Sequence, residues 1–324
     1  MKKKIISVFI ALALILSCLF LLLSCGNENG KDNGKINIVC SIFPLYDWVS
    51  NIVGESNNVD VSLLVSGGGD LHSYDPTAAD IIKLIDCDIV VYVGGESDAW
   101  LTEALSKNPS DKRQEISLID YDSITKMAVS DEYILGNDLE HDHDHDHEKQ
   151  IDEHIWLSLK NAETTAGIIC DAVSDLDKEN ADIYESNLER YTSELSKLHK
   201  SITVPKDISP LIFADRFPFV YLFGDYNIPY YAAFSGCTTD VDASPETRVR
   251  LASLADELSA EYIFVTESPS SPLAETVIET TKNKNAKILV LDSMQSVTRK
   301  DIENGVSYIS VMKDNLKILA SAIE

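Results

Sequence analysis

Three apolar runs in the C-terminal part of the chain each end in a carboxylate. The runs Leu-Ile-Phe-Ala, Tyr-Ile-Phe-Val-Thr and Lys-Ile-Leu-Val-Leu lead to Asp215, Glu267 and Asp292. In an open α/β sheet, ligands bind beyond the carboxyl ends of the strands, so these side chains would share one rim. Taken singly, each is more simply explained as a helix N-cap or a salt-bridge partner. Together they favour a bound cation, because clustered carboxylates repel one another and lose hydration.

Two isolated histidines could complete such a site. His72 lies just beyond three successive glycines, Gly67–Gly69, which permit a tight turn after a predicted strand. His154 precedes Ile-Trp-Leu, a setting in which a lone histidine is ordinarily a hydrogen-bonded structural group. The chain has seven histidines, and four of them lie in one repeat, so isolated histidines such as these are scarce. Imidazole nitrogens with carboxylate oxygens suit tetrahedral Zn²⁺, and Mn²⁺ where oxygens predominate.

That repeat alternates histidine with acidic residues over residues 141–148. Its imidazoles, which are accessory candidates for metal binding, belong to His141, His143, His145 and His147. The surrounding stretch, Asp120–Glu153, has no core-forming periodicity and predicts a mobile, solvated loop. It is either a low-complexity segment without a role or a weak, multi-site zinc collector that feeds the main site. Because neutral imidazole is the ligand form, capture by the loop should fade below about pH 6.5.

Short apolar runs alternate with amphipathic ones from Lys35 onward. This alternation predicts an α/β fold with parallel sheets covered on both faces. The first series of strands is expected at Ile36–Cys40, Val59–Val65, Asp88–Val93 and Glu115–Ile119, with helices at Leu45–Val53, Ala78–Ile85 and Asp98–Ser106. The second series of strands is expected at Leu211–Ala214, Tyr230–Ala233, Tyr262–Thr266 and Lys287–Leu291, with helices at Phe217–Gly224, Pro245–Leu258, Leu273–Thr281 and Val306–Ile323. The sequence therefore predicts two similar lobes with mainly parallel four-stranded sheets.

A long amphipathic segment, Leu176–Ile202, separates the two series. Its apolar residues recur at helical spacing, and Pro205 ends it. We interpret it as a helix that links the lobes, although a surface helix of one larger domain would have the same pattern. The predicted domains are an N-terminal lobe over residues 35–175 with a His-rich loop at 138–150, a linking helix at 176–204 and a C-terminal lobe at 205–324.

The N-terminus predicts export. Lys2–Lys4 precede the uncharged apolar run Ile5–Leu23, which is the pattern of a secretory signal. The run is also long enough for a retained membrane helix. Leu-Leu-Ser-Cys25 resembles the bacterial lipobox, and this favours a signal peptide over residues 1–24, lipidation of Cys25 and a polar tether over residues 25–34. Both interpretations place the rest of the chain outside the cytoplasm, and the favoured one anchors it to the outer face of the cell membrane.

Composition excludes several functions. The formal net charge of −26 argues against nucleic-acid binding, which needs the opposite sign. Besides Cys25 and Cys18 of the signal, four cysteines remain, at positions 40, 87, 170 and 237. They show no Cys-x-x-Cys spacing, so neither a disulfide framework nor a Cys-rich zinc site is expected. Cys40 and Cys170 lie in apolar periodic segments and are predicted core residues.

Several motifs, in order, resemble the zinc- and manganese-binding lipoproteins that serve ABC importers. The similar segments are Ser41–Tyr46, Gly69–Pro76, Ala99–Leu101, His154–Leu157 and Val290–Ser293. The resemblance covers the chain after the tether and implies metal held between two lobes, with His72 and His154 on one side and Asp292 on the other. It implies a monomer that hands its metal to ABC permease and ATPase subunits. A His-rich loop before the second histidine motif is typical of the zinc branch.

The chain departs from this family at one ligand position. Phe219-Val220-Tyr221 matches the family's Phe-x-Tyr motif, and the family's third ligand, His or Glu, falls on Arg216. A guanidinium stays protonated and cannot ligate a metal. We expect Glu267 to replace that ligand, with Asp215 and Cys237 as the next candidates. Arg216 could instead pair with one of the carboxylates and leave water on the metal.

The predicted function is binding and transport of a metal, not catalysis. Zinc is the expected cargo, and manganese is the alternative within the same family. A secreted metallohydrolase could use the same ligands, but it would need an open coordination position and a placed general base. The sequence has no His-Glu-x-x-His motif. A surface adhesin is a further class open to an anchored acidic protein, without specific support in the sequence.

Overall fold

The computed structural model describes residues 34–67, 74–128, 130–135, 151–236 and 243–323. The predicted signal peptide, Cys25 and residues 25–33 of the tether lie outside these ranges. The chain from Ile36 to Glu324 groups into one unit. Among the described residues, no helix is both long enough and apolar enough to cross a membrane.

The first sheet has four parallel strands in the order β2-β1-β3-β4. Its strands are β1 Ile36–Cys40, β2 Val59–Leu63, β3 Ile89–Tyr92 and β4 Gln114–Ser117, and the helices between them are α1 Phe43–Val53, α2 Ala78–Asp86 and α3 Ala99–Lys107. All four residues of β3 are buried, because α1 packs on one face of the sheet and α2 and α3 pack on the other. Helix α2 begins at a capping box formed by Thr77 and Asp80.

Two long helices, α4 Leu159–Leu176 and α5 Ala181–His199, follow the first sheet. The helix predicted over Leu176–Ile202 is therefore shorter than expected, and α4 was not predicted. The boundary between them is a turn in which Asp177 accepts hydrogen bonds from the Asn180 side chain at 2.8 Å and the Tyr184 hydroxyl at 2.7 Å. As a result, α5 begins after residue 180 and buries Tyr184, while Ile183 is 54% exposed.

The second sheet repeats the parallel pattern in the order β6-β5-β7-β8. Its strands are β5 Leu211–Phe217, β6 Tyr230–Ser235, β7 Tyr262–Thr266 and β8 Lys287–Leu291, and its helices are α6 Val220–Tyr226, α7 Pro245–Glu257, α8 Pro272–Thr280, α9 Arg299–Glu303 and α10 Tyr308–Ile323. The pairing of β5 with β6 shifts register between Phe213 and Arg216. Such irregularities redirect side chains, and this one includes Asp215, a predicted ligand candidate.

The predicted α/β class with two parallel four-stranded sheets is confirmed. Cys40 and Cys170 are core residues as predicted, and both are free thiols. The prediction of a solvated loop over Asp120–Glu153 is wrong at both ends, because Ile124, Ile134 and Glu153 are buried. Backbone bridges join Ala128 to Ile151 and Ile134 to Ala232, so the two ends of the stretch are built into the fold. The His-rich part at 138–150 lies outside the described residues.

A buried carboxylate, Asp47 of α1, lies where α1, α5 and α10 meet. It accepts hydrogen bonds from the Tyr191 hydroxyl at 3.2 Å and the Asn51 amide at 3.1 Å, and it also contacts the backbone of Tyr308. Burial raises the pKa of Asp47 to about 6, and the hydrogen bonds only partly oppose this effect. The charged form is therefore disfavoured in the folded protein.

We expect Asp47→Asn to change how stability depends on pH. Because the folded pKa is raised, the contribution of Asp47 is fully present below its unfolded pKa and is lost as pH rises through about 6. A pKa shift of this size corresponds to about 3 kcal/mol. Between pH 4 and pH 7, the free energy of unfolding of the variant should therefore rise relative to that of the wild type by up to this amount. Urea unfolding at both pH values measures it, with exposed Asp314→Asn on α10 as the control. Equal pH dependence in the wild type and Asp47→Asn would contradict the expectation.

Candidate metal centre

His154 is fully buried at the start of a 3₁₀ turn over Ile155–Leu157. Its Nδ1 lies 3.0 Å from Oδ1 of Asp152, and its backbone N–H donates to the same oxygen at 2.9 Å. A carboxylate acceptor places the ring proton on Nδ1 and leaves the lone pair of Nε2 as the metal donor. This carboxylate–histidine pair is the arrangement that orients metal-ligating imidazoles in proteins.

The second sheet approaches His154 through Gly236, the residue that follows β6. A Cβ at this position would lie 2.7 Å from Cε1 of His154 and 2.8 Å from Cα of Pro218. Both distances are shorter than real Cβ contacts, and one neighbour is backbone that cannot move aside easily. Glycine is therefore required here by close packing on the imidazole. Gly236 was not predicted from the sequence, since its only signal there is a single glycine after a strand.

Glu153 attaches the segment that bears His154 to the residues before α3 in the first lobe. This carboxylate is 4% exposed and accepts hydrogen bonds from the backbone of Glu96 at 2.5 Å and of Ser97 at 3.1 Å, as well as from the Ser97 hydroxyl. It packs against Gly95, whose φ of +83° would strain any other residue. His154 thus lies in a segment that is attached to both halves of the molecule.

Glu267 follows β7 with an unusual backbone conformation. Its φ is +67°, which is rare for a residue with a side chain and is found mainly where surrounding contacts enforce it. The carboxylate accepts a hydrogen bond from the backbone N–H of Ser293 at 3.0 Å and from the hydroxyls of Ser293 and Ser296. These contacts fix its orientation. An ionised carboxylate has about four lone-pair sites, so it retains capacity for a metal.

Asp292 follows β8 beside Glu267. Burial raises the pKa of Asp292 to about 6, and the negative charge of Glu267 raises it further, while a hydrogen bond from the Met294 backbone at 2.7 Å opposes the shift. The Asn315 side chain holds the backbone of Asp292 through bonds of 2.9 and 2.8 Å. A buried carboxylate whose charged form is further disfavoured by a neighbouring negative charge is a setting in which a cation is favourable.

Asp215 also lies on this rim, but backbone donors use its oxygens. It accepts hydrogen bonds from the N–H of Arg216 at 2.8 Å and of Thr266 at 3.1 Å. Burial raises the pKa of Asp215 and the charge of Glu267 adds to this effect, whereas the positive charge of Arg216 lowers it. Glu267 therefore lies close enough to interact with both Asp215 and Asp292, and Arg216 lies beside Asp215.

Several predicted site residues lie outside the described ranges. They are His72, Cys237 and the four histidines of the repeat, His141, His143, His145 and His147. Among the described residues, no group of three or more His, Cys, Asp or Glu side chains is arranged to hold a metal. The described residues thus supply His154, Glu267 and Asp292 as candidates without forming a complete ligand set.

The fold and the site define a class of protein. Two parallel α/β sheets, with carboxylates beyond the strand ends of the second, and a buried imidazole attached to both halves are the features of a two-lobed solute-binding protein. The chain matches, over residues 38–322, the family described as zinc-uptake complex component A, periplasmic, and it belongs to that family. This confirms the family inferred from the motifs and agrees with the prediction that the chain is not an enzyme.

Individual relatives and solved structures support the same family. The chain is 30% identical over 317 residues to the zinc-binding lipoprotein AdcA of Streptococcus pneumoniae. The alignment covers 96% of this chain and 60% of AdcA. The chain is 27% identical over 323 residues to the high-affinity zinc uptake system protein ZnuA of Bacillus subtilis, with 96% and 97% covered. The crystal structure of Zn(II)-bound AdcA from S. pneumoniae superposes with a TM-score of 0.70 at 26% identity, covering 90% of this chain and 58% of that one. The chain thus spans about 60% of the length of the first relatives it matches.

Proposed function

We propose that this chain is an extracytoplasmic solute-binding protein that captures zinc between its two lobes and delivers it to an ABC permease. The observation that carries the proposal is the buried His154, whose Nδ1 is held by Asp152 so that Nε2 is the donor, in a segment bonded to the rim that bears Glu267 and Asp292. The names of relatives that bind or take up zinc support the choice of metal. The metal is carried and released without chemical change.

The proposed ligands are His72, His154, Glu267 and Asp292. Two imidazoles with two carboxylates match the ligand types and number of a tetrahedral zinc site, whereas manganese prefers more oxygens. Asp215 and Cys237 remain accessory candidates. The raised pKa of Asp292, caused by burial and by the charge of Glu267, supports a cation at this rim, because a bound cation would stabilise the charged form of Asp292.

We also propose the arrangement of the whole chain. Residues 1–24 are a signal peptide, Cys25 carries the lipid and residues 25–34 are the tether. The lobes are residues 35–175 and 205–324, with residues 176–204 as the link, and α5 supplies its helix. Fatty-acid labelling tests the anchor, because Cys25→Ala should lose all label. Co-purification with permease and ATPase subunits encoded beside the gene tests the partners.

Deleting residues 141–147 separates the tight site from the His-rich loop. We expect the deletion to lower the number of zinc ions bound while leaving the tightest site intact, because the proposed ligands lie on other segments. Calorimetric zinc titration of the metal-stripped protein and of the deletion variant measures both quantities, and parallel titration with Mn²⁺ tests the choice of metal. Loss of the tight site together with the loop would place the repeat in the primary site. A wild-type protein without a tight site would remove the proposed function.

A further inference from the structure

We propose that the connection between β8 and α9, residues 292–298, is a positioning element that sets the spacing between the metal-ligand segments of the two lobes. Its principal contact is the indole N–H of Trp156. The inference rests on the proposed function, because it concerns the same metal site. Trp156 and the residues of the connection after Asp292 hold the ligand-bearing segments at a fixed separation and do not themselves contact the metal.

The connection first fixes the carboxylates of the rim. Its first residue is Asp292, and its serines at 293 and 296 hold both carboxylate oxygens of Glu267. Met294, which is 1% exposed, has a φ of +65°, a strained conformation that persists only where contacts enforce it. The connection is therefore a rigid segment with one preferred backbone path.

The same connection binds the segment that bears His154. The indole Nε1–H of Trp156 donates to the backbone carbonyl of Ser293 at 2.9 Å, and both residues are buried. The Trp156 ring lies 5.1 Å from the imidazole of His154. On the other side, the Tyr308 hydroxyl of α10 donates to the Trp156 carbonyl at 2.7 Å. One hydrogen bond therefore joins the neighbour of Asp292 to the ring packed on His154.

A third set of contacts involves the residues that follow β2 of the first sheet. Thr298 of the connection forms an antiparallel bridge with Gly67, and the backbone N–H of Arg299, the first residue of α9, donates to the Ser66 carbonyl at 3.3 Å. Thr298 is itself fixed by a capping box with Asp301 at the start of α9. The chain enters the segment with His72 directly after this bridge. The connection thus contacts Glu267, the segment that bears His154 and, through Ser66 and Gly67, the end of the described chain that precedes His72.

These contacts give the connection its role. A tetrahedral zinc site tolerates only small errors in donor position, and the groups that orient ligands typically affect affinity by about 10–100-fold. His154 and Asp292 are 138 residues apart in the chain, and the hydrogen bond from Trp156 to Ser293 joins the segments that bear them. Removing the indole N–H leaves the buried Ser293 carbonyl without that donor, so the two ligand segments lose their fixed distance.

The test uses Trp156→Phe, which keeps an aromatic ring but removes the donor. We expect the zinc dissociation constant to rise by about 10–100-fold, with the far-UV circular dichroism spectrum unchanged. Tyr308→Phe removes only the hydroxyl that holds Trp156 and should act in the same direction, which keeps the proposal testable if Trp156→Phe does not fold. Its matched control is Tyr184→Phe, which loses a buried hydroxyl bond of 2.7 Å to Asp177. The control should leave zinc affinity within about twofold.

Two further readouts separate positioning from general stability. The visible absorption of the Co²⁺-loaded protein reports coordination geometry, and it should change in Trp156→Phe and Tyr308→Phe but not in Tyr184→Phe. In an Asp292→Asn background, Trp156→Phe should have little further effect on affinity, because the distance to that ligand no longer matters. Unchanged zinc affinity and Co²⁺ spectra in both Trp156→Phe and Tyr308→Phe would overturn the inference. Failure of the wild type to bind zinc would instead overturn the proposed function.

Discussion

His154→Ala is expected to raise the zinc dissociation constant by at least about 100-fold. Removing a ligand costs more than removing the group that orients it, and loss of such an orienting group already costs about 10–100-fold. His154 is fully buried and its Nδ1 is held by Asp152, so no other side chain can take its place without rearrangement. His72→Ala should have an effect of similar size. Competition titration against a zinc chelator measures both constants.

The neighbours of His154 allow a graded comparison. Asp152→Asn keeps the shape of the side chain but weakens its hold on the Nδ1 proton, so a smaller increase of about 10–100-fold is expected. His199→Ala is the matched control, because His199 is a half-buried histidine of α5 stacked on Tyr226 at 4.9 Å. It should bind zinc as the wild type does.

Two results would contradict this assignment. Wild-type affinity in both His154→Ala and His72→Ala would remove these residues from the set of ligands. Equal weakening in His199→Ala would show that loss of a packed imidazole, and not loss of a ligand, explains the effect. The order His154→Ala, Asp152→Asn, His199→Ala, from the largest effect to none, is the outcome that supports the proposed site.

Much of the fold followed from local patterns. The strands Ile36–Cys40, Tyr262–Thr266 and Lys287–Leu291 have the bounds predicted from their apolar runs. The proximity of Glu267 and Asp292 followed from the rule that neighbouring parallel strands end at one edge, and the structure places them close enough to interact electrostatically. These features are short-range, so a single sequence contains the information needed to predict them.

The contacts that orient the site could not be predicted in this way. Glu153 bonds to Ser97 across 56 residues, and Trp156 bonds to Ser293 across 137. Periodicity describes which face of an element is buried, but it does not say which distant polar group pairs with which. The acidic surroundings of Glu153 suggested a solvated loop, whereas the backbone N–H groups of Glu96 and Ser97, just before α3, donate hydrogen bonds to its buried side chain. Errors of this kind fall where long-range polar pairing outweighs local composition.

Glu267→Gln is expected to weaken zinc binding by about 10–100-fold, a cost in the range found for groups that tune a metal site. The amide keeps the shape and one acceptor oxygen, so the contact with the Ser293 backbone can persist. What is lost is the charge and one oxygen donor. The matched control is Glu261→Gln, since Glu261 is an exposed glutamate that precedes the opposite end of β7. The control should leave the zinc dissociation constant unchanged.

Arg216 decides how the Glu267 result is interpreted. The positive charge of Arg216 lowers the pKa of Asp215, and the negative charge of Glu267 raises it. Asp215, Arg216 and Glu267 therefore form one electrostatic cluster at the ends of β5 and β7. Arg216→His removes a fixed positive charge and places an imidazole where the resemblance to the family implies a third ligand, and it should bind zinc at least as tightly as the wild type. If Arg216 neutralises Glu267, the two substitutions will be strongly coupled in a double-mutant cycle; if Glu267 is purely a ligand, their effects will add. Wild-type affinity in Glu267→Gln would falsify the ligand role and leave Asp215 and Cys237 as the second-lobe candidates.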